Sequence, residues 1–205
     1  MPPPIPQQPE LVVCLPDRLS IALFIQLGRV VRNIDRSMPD VEHDTQVAFQ
    51  AYADDAVRLL AGLPRLYVFE RRGLEQDPGL RALATQLEAR PSPAPAAVTT
   101  TKAGLFNYLH PDLIRQHLGV PVEVDDRTDV PLATAQAMLT REDGSDWSSL
   151  VLEEQDRRIE EAKRLLVTQV ATAMTPELLT ARKGTANVTR WLYAIKLNLP
   201  RQFYD

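Results

Sequence analysis

The chain has 205 residues, of which 44% are hydrophobic and eight are glycine. A chain of this length suits one domain that buries roughly 70% of its unfolded surface, and so few glycines favour helices over a sheet-rich sandwich, whose turns need more glycine. The formal net charge of −4 argues against binding of nucleic acid by bulk attraction alone, since such proteins usually carry a basic face. We therefore expect a single, mainly α domain in which any nucleic-acid site is local.

The cysteine content and the apolar runs limit where the protein works. A single cysteine, Cys14, excludes an internal disulfide framework and a cysteine-based zinc site, and it favours a reducing compartment. The apolar run at residues 21–25 follows a proline-rich leader at residues 1–9 and is too short to cross a bilayer. We expect a soluble protein that does not contact a membrane.

Hydrophobic residues recur at helical spacing in two segments of the first third of the chain. The first segment, residues 16–33, carries Leu23 and Leu27 on one stripe. The second begins at Asp40, a good N-cap after a proline, and ends at Gly62. These segments predict two helices in an antiparallel hairpin with a short connection.

A short strand and a third helix are expected next. Residues 65–71 are rich in aliphatic and aromatic side chains between a proline and a glycine, which predicts one small strand. The third helix has a clear start, with Asp77 as its N-cap and Pro78 at its first position, and it ends before Pro91.

Residues 91–147 interrupt this pattern and are expected to form an insertion. The prolines of residues 91–101 remove backbone donors and predict a linker or long loop. Two short helices are predicted over residues 105–118 and 131–140, separated by a solvated acidic loop. The loop contains Asp125, Asp126 and Asp129. A fourth long helix is predicted from about residue 148 to residue 174, followed by a last helical stretch.

Motifs that carry catalysis or bind cofactors are missing from the sequence. There is no P-loop, no Rossmann glycine pattern, no GxSxG elbow and no HExxH. His110 and His117 are seven residues apart, and two histidines without a third close ligand make a weak metal site. We expect no catalysis, no cofactor and no metal. The weakest alternative is an enzyme or toxin that uses these histidines with Asp112.

Three local motifs occur in an order that is known from one family. The first is Asp77-Pro78, with an arginine, Arg90, at the end of the same helix. The second is residues 157–162, Arg-Arg-Ile-Glu-Glu-Ala, beside the family's Arg-Arg-Val-Asp-Asp-Ala. The third is residues 201–203, Arg-Gln-Phe, one residue shorter than the family's Arg-x-x-Phe-acid motif. With the order of helices and strand, these motifs resemble the tobamovirus-type coat protein of rod-shaped RNA viruses.

The resemblance covers roughly residues 16–90 and 148–205 and fails over residues 91–147. It implies an antiparallel four-helix bundle with a very small β element and a long inner-loop insertion. It also implies a structural capsid protein, found in the virion and in the host cytoplasm during assembly. Many copies would assemble into a helical rod around single-stranded RNA.

The resemblance further implies two sets of site residues. The arginines that would neutralise RNA phosphates are Arg90, Arg157 and Arg158. The carboxylates that would face each other between subunits are Asp77 with Asp54 or Asp55, and Glu160 and Glu161.

Three alternatives stay open beside this hypothesis. Glu154 and Arg158 are spaced i, i+4, as are other charges of the same segment, so its arginines can equally belong to ordinary surface ion pairs. Asp77 can equally be a helix cap alone. The alternative function is a helical accessory subunit of a bacterial ribonucleoprotein complex, such as the small subunit of a CRISPR surveillance complex.

Overall fold

The computed structural model describes residues 8–52, 62–90 and 94–199. Its central feature is a four-stranded parallel sheet, formed by β1 (Leu11–Leu15), β2 (Val47–Ala51), β3 (Arg65–Phe69) and β4 (Ala97–Thr99) in the order β2-β1-β3-β4. The expected antiparallel four-helix bundle with a very small β element is therefore wrong. The protein has a mixed α/β fold.

The composition of β1 explains why it lies at the centre of the sheet. Its sequence, Leu-Val-Val-Cys-Leu, is buried at every position, as is typical of a parallel strand that is covered on both faces. Val13 aligns with Phe49 of β2 on one side and with Leu66 of β3 on the other. On the far side of β3, Val68 aligns with Val98 of β4.

Eight α-helices surround the sheet in the described part of the chain. They are α1 (Arg18–Ile34), α2 (Arg71–Gln76), α3 (Pro78–Glu88), α4 (Pro111–Leu118), α5 (Val130–Asp143), α6 (Leu152–Leu165), α7 (Pro176–Ala181) and α8 (Thr185–Asn198). After α6 the helix continues through a π-helical turn, Leu166–Val170, and a 3-10 turn, Ala171–Ala173. Among the described residues, no helix is both long enough and apolar enough to cross a bilayer.

Helices cover both faces of the sheet. On one face α1 and α8 meet, and the rings of Phe24 and Trp191 stack with their centroids 5.9 Å apart. On the other face Leu87 of α3 packs against Phe69 of β3 in a separate apolar cluster. Since neighbouring residues of a strand point to opposite faces, Val68 belongs to the first core while Phe69 belongs to the second.

Several predicted elements differ from the structure. The helix that was expected from Asp40 is replaced, at Val47–Ala51, by strand β2, and residues 53–61 lie outside the described part. The expected inner-loop insertion is also wrong, because Leu105, Tyr108 and Ile114 are fully buried in the main core. The first and third helices and the strand at residues 65–69 are confirmed.

Candidate functional site at the carboxyl edge of the sheet

The strand order creates a switch point between β1 and β3. From β1 the chain passes through α1 to β2 on one side, and it later enters β3 on the other side of β1. In open α/β sheets ligands bind outside the carboxyl ends of the strands at such a point. In this protein, the residues directly after β1, β2 and β3 line one depression of about 370 Å³. The lining residues are Pro16, Tyr52, Glu70, Gly73, Asp77 and Leu80.

Glu70 lies at the end of β3 and is the partly buried acid of this depression. Its Oε1 accepts a hydrogen bond of 2.8 Å from the backbone N–H of Leu105. Burial raises the pKa of Glu70, and the Leu105 bond opposes that rise. A Cβ atom at Gly104 would lie 2.9 Å from the same Oε1, so the glycine leaves the space in which the carboxyl group lies.

Asp17, at the end of β1, is tied to a distant helix. Its Oδ1 accepts the N–H of Ser20 at 2.7 Å and caps α1, while its Oδ2 forms an ion pair of 2.9 Å with Lys163 of α6. Burial opposes the ionisation of Asp17, but the Ser20 and Lys163 bonds outweigh it and lower the pKa of Asp17. The pKa of Lys163 is raised, because the attraction of Asp17 outweighs its own desolvation. The charge of Lys163 is thus compensated beside the depression.

Tyr52 forms a fixed wall of the depression. Its backbone N–H donates to Leu15 at 2.8 Å, and its hydroxyl donates to the carbonyl of Val68. Its ring packs against Phe69 at a centroid distance of 5.8 Å. Burial raises the pKa of Tyr52, and nearby Glu70 adds to that rise, so the hydroxyl stays protonated and committed to Val68.

Asp77 lies at the exposed rim of the depression and caps α3. Its Oδ1 accepts the backbone N–H groups of Gly79 at 2.7 Å and Leu80 at 3.2 Å. The interpretation of Asp77 as a helix cap is therefore confirmed. Its position places a second carboxylate in the same depression as Glu70.

A loop closes the rest of the carboxyl edge, beyond β3 and β4. Asp129 forms an ion pair with Arg72, whose guanidinium also donates to the carbonyl of Arg127 at 2.6 Å. Asp126 forms an ion pair with Lys102, and this bond lowers the pKa of Asp126. Asp125 and Asp126 are exposed, as expected for a solvated loop, and the two ion pairs anchor the loop to the sheet edge. It leaves the depression at β1, β2 and β3 open.

The arginines expected to bind RNA lie in two different parts of the fold, one just beyond α3 and two on α6. Arg90 is exposed just beyond α3. Arg157 of α6 donates to Glu154 at 2.8 and 2.6 Å, and Arg158 donates to Glu142 at 3.0 Å and to Glu154 at 2.9 Å. The i, i+4 pair foreseen between Glu154 and Arg158 is thus present, whereas Arg157 pairs with the glutamate three residues before it. Contact of these arginines with RNA stays a prediction.

The other predicted site residues are not brought together at this site. Glu160 lies 3.7 Å from Lys163, and Glu161 lies 3.9 Å from Arg164, both along α6. Asp54 and Asp55 lie outside the described residues. Facing carboxylates between subunits therefore stay a prediction.

The histidines of the enzyme alternative are placed on α4. His110 caps the helix by accepting the N–H of Asp112 at 3.3 Å, and His117 is exposed in its last turn. The depression beside Asp112, about 440 Å³, is lined by neither histidine. Across the described ranges, no group of three His, Cys, Asp or Glu side chains could hold a metal ion.

Asp17 lies at the start of the first predicted helix, residues 16–33, and neither Glu70 nor Lys163 was predicted as a site residue. The sequence does contain a signal that places Asp17 and Glu70 at one edge of a sheet. Asp17 follows the apolar run 11–15 by two residues, and Glu70 follows the apolar run 66–69 directly. Polar residues just after short buried runs are typical of the carboxyl edge of a parallel sheet.

No protein family model, curated protein or solved structure matches this chain. The fold defines an α/β protein with a parallel sheet, and the depression lies where proteins of that class bind ligands. A functional assignment therefore rests on the geometry of the described residues.

Proposed function

We propose that this protein binds a small organic cation, an amine or a guanidinium compound, at the carboxyl ends of β1, β2 and β3. The observation that carries the proposal is that two carboxylates, Glu70 and Asp77, line one depression of about 370 Å³. Its remaining lining includes Tyr52, Leu80 and Pro16, which supply apolar walls. Small-molecule sites commonly measure about 300–1,000 Å³ and combine apolar walls with a few polar groups.

The charges around the depression favour a positive ligand. The nearby cations are engaged, Lys163 with Asp17 at 2.9 Å and Arg72 with Asp129. The carboxylates of Glu70 and Asp77 therefore dominate the lining, and an anion would meet repulsion there. A ligand with N–H donors would form charge-assisted hydrogen bonds to both acids.

Binding of a cation would be coupled to the protonation of Glu70. Burial raises the pKa of this carboxyl group, which favours its neutral form, whereas a bound positive charge favours the ionised form. Affinity should therefore increase as the pH rises through the pKa of Glu70 in the unliganded protein. Binding below that pKa should release a proton.

Two backbone amides report on the site directly. The N–H of Leu105 bonds to Glu70, and the N–H of Leu80 bonds to Asp77. Titration of the full chain with putrescine and agmatine should shift both amide resonances, whereas glutarate, an anion of similar size, should not. Equal shifts with glutarate, or unshifted amides with both amines, would refute the proposal. Shifts caused by Mg²⁺ in place of the amines would replace the organic cation with a metal ion.

Two substitutions remove charge while they keep the local hydrogen bonds. Glu70→Gln retains an oxygen for the Leu105 N–H, and Asp77→Asn retains a good N-cap for α3. Each should weaken amine binding by roughly tenfold or more, since a hydrogen bond to a charged group contributes about 1.5–3 kcal/mol. The matched control is Asp146→Asn, which alters a capping carboxylate of the short helix Trp147–Ser149. It should leave the affinity unchanged.

A further inference from the structure

Strand β4 forms one outer edge of the sheet in the described part of the molecule. On its inner side it pairs with β3, where the carbonyl of Ala96 accepts the N–H of Tyr67 at 3.0 Å. Among the described strands, β4 has no neighbour on its outer side. Because the backbone groups of a parallel strand alternate between its two sides, the N–H and C=O groups of Ala97 and Thr99 face away from β3. This side of β4 can therefore pair with a further strand.

A groove of about 380 Å³ lies along the outer side of β4. Helix α8 forms one wall of the groove with Arg190, Tyr193 and Leu197. Tyr193 is 51% exposed and Leu197 is 44% exposed, although both side chains are large and mainly hydrophobic. Glu88, the last residue of α3, lines the same groove and is exposed. The groove thus combines backbone groups, hydrophobic side chains and one charge of each sign.

The two charges of the groove lie towards opposite ends of β4. The guanidinium of Arg190 donates to the carbonyl of Thr99, the last residue of the strand, at 2.6 Å. At the other end of α8, Asn198 donates to the carbonyl of Pro95, before the strand begins, at 2.9 Å. Because β3 and β4 are parallel, the chain between them returns to the side of the sheet where β4 starts, and Glu88 ends the last helix of that return.

We propose that a second copy of this chain pairs with β4 across a two-fold axis, so that the two sheets continue into one another. With Val98 of both copies at the axis, Ala97 of each copy lies opposite Thr99 of the other, and their outward N–H and C=O groups form hydrogen bonds. The carbonyl of Thr99 can accept Arg190 and the second copy together, since a carbonyl oxygen has two lone pairs. This interface is separate from the depression at Glu70.

The charges of the groove favour a second copy of the chain as the occupant. In an antiparallel pair the end of one β4 lies beside the start of the other, so Arg190 of each copy approaches Glu88 of the other. Tyr193 lies between Arg190 and Leu197 on α8 and therefore falls near the axis, beside Tyr193 of the second copy. The same surface is thus complementary to itself, as a two-fold interface requires.

Helix α8 must contribute to such a dimer, because β4 is only three residues long. A stable interface commonly buries about 800 Å² on each partner, more than a short strand can supply. Strands that continue a sheet across a two-fold axis bring the helices of one face side by side, so the exposed side chains of Tyr193 and Leu197 would cover each other. Pairing would also remove an edge that could otherwise aggregate.

Sedimentation equilibrium of the full chain, with charge-reversed variants, tests the proposal. The wild-type chain should form dimers, and Glu88→Arg and Arg190→Glu should each weaken association by about tenfold or more, because like charges then face each other. An equal mixture of the two variants should regain association, since each contact in the mixed dimer again joins opposite charges. A contact within one chain could not be restored by mixing. The matched control is Lys196→Glu, which reverses a charge of α8 that bonds to Ser37 and should leave association unchanged.

Hydrogen exchange places the interface on the strand. Rising protein concentration should slow the exchange of the outward amides of Ala97 and Thr99 by about tenfold or more. The amide of Val98, which faces β3, is the internal control, and its exchange should not depend on concentration.

Three outcomes would overturn the proposal. A chain that stays monomeric at every concentration would exclude the dimer. A dimer that is insensitive to Glu88→Arg, with no gain on mixing the two variants, would place the interface elsewhere. Amides of Ala97 and Thr99 that are protected equally at all concentrations would show that the edge is covered by something other than a second copy.

Discussion

Replacement of Gly104 by alanine tests whether the carboxyl group of Glu70 lies in a space that is open only because residue 104 has no Cβ atom. A Cβ atom at residue 104 lies 2.9 Å from Oε1 and 3.1 Å from Oε2 of Glu70, closer than carbon and oxygen normally approach. The backbone at Gly104 is extended, with φ at −157°, so alanine adds no backbone strain. The carboxyl group must move instead, and its 2.8 Å bond from the Leu105 N–H is lost.

The expected loss of stability follows from two opposing contributions. A hydrogen bond to a charged group contributes about 1.5–3 kcal/mol. A glycine-to-alanine change in a compatible conformation stabilises by about 0.4–1 kcal/mol, because it restricts the unfolded chain. The net destabilisation should be about 1–2 kcal/mol, which lowers Tm by roughly 2–8 °C for a chain of this size.

Calorimetry at neutral pH measures the loss of stability. The amide resonance of Leu105 reports the loss of its hydrogen bond to Glu70. The matched control is Gly73→Ala, because a Cβ there lies 3.7 Å from Leu80, an ordinary contact, and residue 73 lies within α2. That variant should be as stable as the wild type or up to about 1 kcal/mol more stable. An unchanged Tm and an unshifted Leu105 resonance in Gly104→Ala would refute the fitted position of Glu70.

Two further predictions concern the pH dependence of stability. Burial raises the pKa of Glu70 above its unfolded value, so ionisation destabilises the fold as the pH rises through the unfolded pKa. Urea unfolding should therefore show Glu70→Gln gaining stability over the wild type from about pH 3 to pH 7, and a constant difference would contradict this. Lys163→Met removes the partner of Asp17 and should cost less than about 1 kcal/mol at pH 7. Because the pKa of Asp17 is lowered in the folded protein, the destabilisation by Lys163→Met should vanish as the pH falls through this lowered pKa. Arg164→Met, at an exposed pair on the same helix, is the control and should show no such dependence.

Helix caps and one short strand could be predicted from the sequence, because their signals depend on neighbouring residues. Asp77 precedes a helix and accepts backbone N–H groups at its start, as the capping pattern predicted. Asp17 does the same at the start of α1, close to the predicted start of the first helix. The short strand at residues 65–69 was also predicted, from its aliphatic and aromatic residues between a proline and a glycine. These features depend on neighbouring residues, which a single sequence displays.

The second element was predicted wrongly because two periodicities overlap there. The segment from Asp40 to Gly62 was predicted as one helix, yet Val47, Phe49 and Ala51 also recur at the spacing of two that a strand requires. In the structure the backbone of this segment pairs with β1, more than thirty residues earlier in the chain. Such pairing is non-local, so the pattern of one segment cannot choose between helix and strand.

The candidate site was missed for the same reason. It depends on β1, β2 and β3 ending side by side, and each of these strands is only five residues long. Leu11–Leu15 was passed over as part of the stretch between a proline-rich leader and the first helix. Once this run is recognised as a buried central strand, the acids that follow the apolar runs fall at one edge of the sheet.

The Asp77-Pro78 motif shows why shared local motifs did not establish the expected fold. An aspartate followed by proline starts a helix wherever the chain needs one, because the side chain caps the first N–H groups and proline suits the first turn. In this protein the helix returns along a parallel sheet, and the same aspartate also reaches the rim of the depression that contains Glu70. The motif therefore specifies a helix start in many folds. Its order along the chain carries no information about strand pairing, and strand pairing is what separates this α/β protein from a bundle.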